Sequence, residues 1–256
     1  TGREHTEFTV TCLAADLEPA LDLLAGAWLA PTYAEDQLNL ARRESVAAIR
    51  QAEDNTQQVA DRLLRDQFYA DGHPLRHRPA GDEHDLATIA TTDLQHFHQA
   101  ILTGRQITAA VVGGYQAVDA VAELIATRFG GRGPISVRPE FDQPALLPGG
   151  PLTATLPGKE QADVALGMPV MPLGAEGWYA LDVADTILGQ FGLMGRIGES
   201  VRQEQGLAYY AYSSVSPRKD RSLWVARAGV DPVNLERAIE SIRAVVRDVR
   251  EHGFTT

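Results

Sequence analysis
A glycine- and proline-rich tract from Gly130 to Gly158 interrupts the chain near its middle and limits what it can fold into. It contains Gly130-Gly131, Pro148-Gly149-Gly150-Pro151 and Pro157-Gly158, with little hydrophobic periodicity. Proline lacks a backbone donor and fixes φ, and glycine is costly to order, so such a stretch connects folded units. Before it lie segments of alternating strand and helix character, and the same alternation resumes after it. Two units follow, with residues 1–133 in the first, a linker at 134–158, and residues 159–256 in the second. At 256 residues the chain is long enough to give each a core.

Within the first unit, Glu7–Leu13 alternates apolar and polar residues (Phe8, Val10, Cys12), which predicts a strand with a buried Cys12 thiol. Asp16 is placed to cap a helix through Trp28 with Leu17, Leu21, Leu24 and Trp28 on one face, and Pro31 ends it. A long helix is expected over Glu35–Tyr69. Asp71-Gly72-His73-Pro74 reads as a turn, Thr92–Leu102 as a helix, Ile107–Val112 as a buried strand and Val118–Phe129 as a helix. In the second unit, the expected elements are a strand (Ala162–Met168), a helix (Trp178–Phe191) and a short helix (Gly195–Gln205). Strands at Leu207–Val215 and Leu223–Val230 and a helix from Asn234 to Glu251 complete it. Phe8–Trp28 and Leu223–Val249 share a strand–turn–helix order, which suggests an internal repeat. The fold class is therefore α/β of the α+β type: two related domains, each a mainly antiparallel sheet with helices packed on one face.

Several function classes are excluded. The net charge is -11 and the basic residues are scattered, so no cationic face exists for nucleic acid. No apolar run approaches the ~20 residues that cross a bilayer as a helix. With one cysteine there is no internal disulfide. A soluble, cytoplasmic protein is expected. The chain opens at Thr1 without methionine and closes beside a helix-to-loop junction, so both ends read as cuts.

Several stretches resemble one family. Arg42-Arg43-Glu44-Ser45-Val46-Ala47-Ala48-Ile49-Arg50-Gln51, framed by Pro31-Thr32-Tyr33 and Gly72-His73-Pro74, is similar to the helix after the active site of pitrilysin/insulinase-like zinc metallopeptidases, the family of the mitochondrial processing peptidase. Ala109-Ala110-Val111-Val112-Gly113-Gly114 resembles the end of a following strand. Ile187-Leu188-Gly189, Gly195-Arg196-Ile197 and Val201-Arg202-Gln203-Glu204-Gln205-Gly206-Leu207-Ala208-Tyr209 resemble the signature of the family's second domain. The resemblance implies that residues 1–133 are the rear of a first peptidase-like domain and 159–256 the front of a second, homologous one.

In that family zinc is held by two histidines of an inverted HxxEH helix motif and a glutamate farther on, while the motif's own glutamate acts as base. This chain has no HxxEH among its seven histidines. His73 and His77 are four apart but separated by Pro74 in a turn, and His96 and His98 point to different faces of a helix. Along the family pattern the remaining ligand falls at Ala48, which has no donor atom, with Glu44 one turn away as the alternative. The implied reading is a peptidase homologue with a degenerate zinc site and no catalytic residues of its own. Zinc is then expected in a homologous partner subunit or half, as a hetero- or homodimer. Arg202 and Tyr209 match the pair that grips the peptide substrate in the family; the plain alternative is that Arg202 pairs with Glu199 or Glu204 and the tyrosines pack on a helix. An active zinc endopeptidase whose HxxEH lies upstream, and a purely structural subunit, are the other readings. Purified without chelator, the chain should carry no stoichiometric zinc by elemental analysis. One tight zinc per chain bound through His73 or Glu44 would overturn this.

Overall fold
The computed structural model describes residues 6–104, 107–115, 117–130 and 150–254. Residues 131–149, which include most of the expected 134–158 linker, lie outside them. The chain divides into two units, one from residues 1–49 and 78–140 and one from residues 50–77 and 141–256. Residues 50–77, which precede the linker in sequence, join the second unit because they pack on its sheet.

In the first unit the described elements are helices: α1 (Leu17–Leu29), the start of α2 (Glu35–Glu53), α4 (Glu83–Thr88), α5 (Thr91–Gly104) and α6 (Val118–Phe129). Polar side chains tie them together. Arg128 on α6 donates to Asp22 at 2.5 Å and Glu18 at 3.1 Å on α1. Arg42 on α2 donates to the Leu86 and Ile89 carbonyls at 2.8 and 2.7 Å, satisfying acceptors that the end of α4 leaves open. His98 on α5 bonds the Trp28 carbonyl at 2.7 Å, and its ring meets those of Trp28 and Tyr33 edge-on.

Three expectations fail here. Residues 6–13 and 107–112 belong to no sheet among the described residues; Cys12 is exposed, and Val112 is 98% exposed. Alternation supplies faces, but a strand also needs a neighbouring ladder to bond its backbone, and none is paired with them. Asp16 makes no side-chain cap bond, because Ala14–Asp16 is already a 3₁₀ turn closed by the Asp16 amide on the Leu13 carbonyl. Of the internal repeat, the strand–turn–helix unit is complete at Leu223–Val249, whereas at Phe8–Trp28 the helix stands without a paired strand among the described residues.

The second unit is built on three antiparallel strands, β1 (Ala162–Val170), β2 (Ala208–Ser216) and β3 (Ser222–Val230), in the order β1-β3-β2. Helices cover both faces of this sheet. Leu223 and Val225 of β3 face Phe68, Tyr69 and Leu64 at the end of α3 (Thr56–Phe68). Trp224, Ala226, Ala228 and Val230 face Ile197 of α8 (Gly195–Gly198), Val201, and Ala238 and Ile242 of α9 (Leu235–His252). β3 is therefore buried on both sides along nearly its whole length. A Cβ at Gly167 would stand 2.9 Å from both Leu64 methyls, so glycine there lets α3 close on β1.

The expected helix over Glu35–Tyr69 is two helices. It breaks at Asp54-Asn55, where the Asn55 side chain accepts from the Gln58 amide at 2.9 Å and caps α3. Asparagine is a poor helix interior residue and a good cap because its carbonyl substitutes for the missing turn. The expected helix Trp178–Phe191 is likewise α7 (Trp178–Asp185) followed by a π-helical turn (Thr186–Gln190), and α8 runs into a second π turn (Glu199–Glu204). The sequence Asp82-Glu83 also starts α4, with Asp82 accepting from the Asp85 amide at 2.8 Å. Among the described residues no helix is long and apolar enough to cross a membrane. Asn55→Ala should lower unfolding stability by about 1 kcal/mol in urea titrations, with Asn55→Asp close to wild type.

Candidate functional site
The segment Gly195–Tyr209 turns a short helix directly into a strand. Ile197, Val201 and Leu207 are buried and fix its inner side. Gly206 sits at φ +62°, a left-handed position suited to glycine, and ends the helix as expected. The Gly206 amide bonds the Arg202 carbonyl at 3.1 Å and the Leu207 amide bonds the Val201 carbonyl at 3.0 Å. The Leu207 ring is one residue wider than the 6→1 bond of an ordinary Schellman end, because the preceding turn is π-helical. Gln205 anchors the junction to α9 by donating to Ser241 at 3.0 Å and accepting from Arg237 at 3.1 Å.

Arg202 lies on the π turn, half-buried, and among the described residues its guanidinium makes no hydrogen bond or ion pair. It is thus not paired with Glu199 or Glu204. Tyr209 is 80% exposed, and its hydroxyl has no partner among the described residues. A β-bulge explains that exposure. Ala208 pairs with Val230, and the next pair is Tyr210 with Gly229, so Tyr209 is a surplus residue on β2. Tyr210 and Tyr212 share the face turned to α3, with ring centroids 5.7 Å apart.

Those two tyrosines belong to a polar network. The Arg227 guanidinium donates to Asp61 of α3 at 2.7 Å and to Ser214 at 2.9 Å, and lies 5.7 Å from the Tyr212 ring centroid. Gln57 of α3 donates to the Tyr212 hydroxyl at 2.8 Å. The Tyr210 hydroxyl donates to Asp163 on β1. Burial, reinforced by that carboxylate, pushes the Tyr210 phenol well above its ordinary range.

On the opposite face sits a residue that sequence reasoning missed. Asp185 is 1% exposed and accepts from Ser213 at 2.6 Å, Trp224 at 2.8 Å and Gln190 at 2.5 Å. These bonds hold the first π turn against β2 and β3. A Cβ on Gly189 would collide with Ser213, so that approach needs glycine. The available signal was a carboxylate on the apolar face of the expected Trp178–Phe191 helix.

The donors needed for zinc are not assembled. Among the described residues no three His, Cys, Asp or Glu side chains could share a metal ion. Ala48 and Glu44 are both exposed on α2. His73 is buried in the Asp71–Pro74 turn, stacked on Tyr69 at 4.8 Å, with its Nδ1 accepting from the Leu75 amide. The described residues thus do not fit the zinc that the family resemblance implies. A cavity of about 570 Å³, lined by Pro169, Val170, Met171, Pro172, Asp220 and Arg221, opens at the far end of the sheet from Tyr209.

Residues 88–256, the stretch that carries this junction, match the family described as peptidase M16 inactive domain. The chain belongs to the peptidase M16 family. It is 28% identical to "Uncharacterized zinc protease ML0855" of Mycobacterium leprae and 25% identical to "Uncharacterized zinc protease YmxG" of Bacillus subtilis, in each case over the whole of this chain. It covers 57% and 61% of those proteins, so it spans a little over half the length of the curated relatives it matches. Among solved structures, the peptidase M16 inactive domain from Pseudomonas fluorescens superposes with a TM-score of 0.78 at 21% identity, over 94% of this chain and 58% of that one. Pitrilysin superposes at 0.62 and 17% identity, over 94% of this chain and 27% of that one. The resemblance read from the 187–209 signature is thus a true family relation, and the mixed helix-and-antiparallel-sheet class is that of M16 domains. Because the folded state raises the Tyr210 pKa, that phenol stabilises the fold fully below its free value of ~10 and progressively less above it. Urea midpoints measured at about pH 8 and about pH 11, either side of the free phenol pKa, should fall at the higher pH, and by less in Tyr210→Phe.

Proposed function
We propose that this M16 domain chain is a non-catalytic half of a peptidase, one that holds the peptide while a homologous, zinc-bearing subunit or half cleaves it. The observation that carries this reading is the helix–strand junction at Gly206, which leaves the Arg202 guanidinium unpaired among the described residues and Tyr209 in solvent. An arginine fork can donate to peptide carbonyl oxygens, and a tyrosine hydroxyl can donate to the oxyanion that develops at a scissile carbonyl. The donor set described for this chain does not fit zinc, so the zinc of the assembly is assigned to the partner. The two halves would close around an unfolded peptide.

A second reading has one observation in its favour: the curated relatives, aligned along the whole of this chain, carry the name zinc protease. Under it the chain is part of an active zinc endopeptidase and Glu44, in place of Ala48, is the carboxylate ligand. Glu44→Ala separates the two readings, because it lowers the zinc content of the assembled enzyme only under the second.

For the first reading, the chain alone should leave an internally quenched, unstructured peptide intact, and the complex with its zinc-bearing partner should cleave it. Tyr209→Phe should lower kcat by roughly 10²–10³, the range for losing one oxyanion donor. Arg202→Ala should reduce kcat/KM without disturbing association of the subunits. A change confined to KM would mean that the residue binds ground state and transition state alike. Unchanged kinetics in both variants would sink the reading.

A further inference from the structure
The surplus residue in β2 has to be accommodated somewhere, and two neighbouring tyrosines compete for the same slot. Downstream of the bulge the ladder is regular: Ala211, Ser213 and Val215 pair with Ala228, Ala226 and Trp224. Upstream, Leu207 is buried and its amide is held by the Val201 carbonyl. Between these two fixed points the strand contains one residue more than β3 offers partners for. The position on β3 that faces the choice is Gly229. Either Tyr210 pairs with it and Tyr209 is expelled, as observed, or Tyr209 pairs with it and Tyr210 becomes the surplus residue.

What lies around Gly229 decides the matter. Asp163 of β1 also pairs with Gly229, from the other side, so Asp163, Gly229 and Tyr210 stand in one row across three strands. A Cβ on Gly229 would stand 2.5 Å from Tyr210 Cε1 and 2.6 Å from Gln161 Nε2. The missing side chain therefore lets the Tyr210 ring cross over β3 and donate to Asp163, which also accepts from Gln161 at 3.1 Å. This is a cross-sheet clasp between the two outer strands.

We propose that Tyr210, laid across Gly229 and bonded to Asp163, is a positioning residue that fixes the β-bulge at Tyr209 and so keeps the Tyr209 hydroxyl in solvent. Its relevance to peptide cleavage rests on the reading of Tyr209 given above; the placement of the bulge does not.

The test is tyrosine nitration of the full chain by tetranitromethane, followed residue by residue with mass spectrometry. In the wild type Tyr209 reacts quickly and Tyr210 is protected. In Tyr210→Phe the clasp loses its hydroxyl, Tyr209 competes for the slot, and its nitration slows severalfold, in proportion to the chains whose bulge has moved. Asp163→Ala removes the acceptor, and the difference in rate between Tyr209 and Tyr210 collapses. Asp163→Asn retains a carbonyl acceptor and restores the wild-type pattern, which a merely structural effect of altering β1 would not do. Circular dichroism and the fluorescence of buried tryptophans check that each variant is folded, and the Asp163 pair serves if Tyr210→Phe does not fold. An unchanged Tyr209 rate in Tyr210→Phe, or an Asp163→Ala protein indistinguishable from wild type, overturns the proposal. Anisotropy of a fluorescein-labelled unstructured peptide, read on the same variants, separates the two ideas. Moved nitration with unmoved peptide binding leaves the clasp standing and removes the peptide-holding role of Tyr209. Unmoved nitration removes the clasp whatever the peptide does.

Discussion
The second unit depends on β3 being covered on both faces. A central strand flanked by β1 and β2 has its backbone donors and acceptors engaged on both sides, and its side chains are buried toward α3 in one direction and toward α8 and α9 in the other. Apolar surface removed from water contributes roughly 25 cal/mol per Å², so a strand buried twice over dominates the stability of its surroundings. It also sets the register. A slip by one residue would exchange the Leu223, Val225 and Arg227 face with the Trp224, Ala226 and Ala228 face and place the Arg227 guanidinium in the apolar cluster. Arg227 is tolerated because its own face supplies Asp61 and Ser214.

Close approach to that strand and its neighbours is arranged through missing side chains. Gly167 admits Leu64, Gly189 admits the Ser213 backbone, and Gly229 admits the Tyr210 ring. At Gly167 and Gly189 a methyl group would push apart two layers that bury apolar surface between them, and at Gly229 it would displace the Tyr210 ring. The polar groups trapped by this packing are satisfied locally: Asp185 has three neutral donors on one face, and the Asp61–Arg227 pair lies on the other. Burying a carboxylate is costly unless it is fully bonded, and Asp185 is bonded at both oxygens.

Against this rigid background the Gly195–Tyr209 junction stands out. Its buried side is locked by Ile197, Val201 and Leu207, and its open side carries an arginine and a tyrosine with no bonding partners among the described residues. The stretch that matches the peptidase M16 inactive domain includes that arrangement. The first unit contributes helices cross-linked by Arg42, His98 and Arg128, and its α2 carries Ala48 and Glu44 on an exposed face.

By itself the sequence determined what depends on near neighbours. The 3.6-residue periodicity of Val118–Phe129 marked α6, glycine at position 206 marked a left-handed helix end, and the ordered motifs from Ile187 to Tyr209 marked the family. β1, β2 and β3 were legible as strands from their own residues, although β3, covered on both faces, is an almost continuous apolar run and not an alternation. Tertiary structure alone decided what depends on distant partners. Residues 7–13 alternate as β2 does, yet pair with nothing described, since a ladder is made by two segments and a pattern by one. The cap at Asn55 divided a helix whose hydrophobic spacing runs on through the break. The parity of β2 also lay beyond the sequence: simple alternation would turn Tyr209 to the same face as Ala211, into the core. One surplus residue, settled by a hydroxyl reaching across a glycine to a carboxylate on another strand, put it in solvent instead.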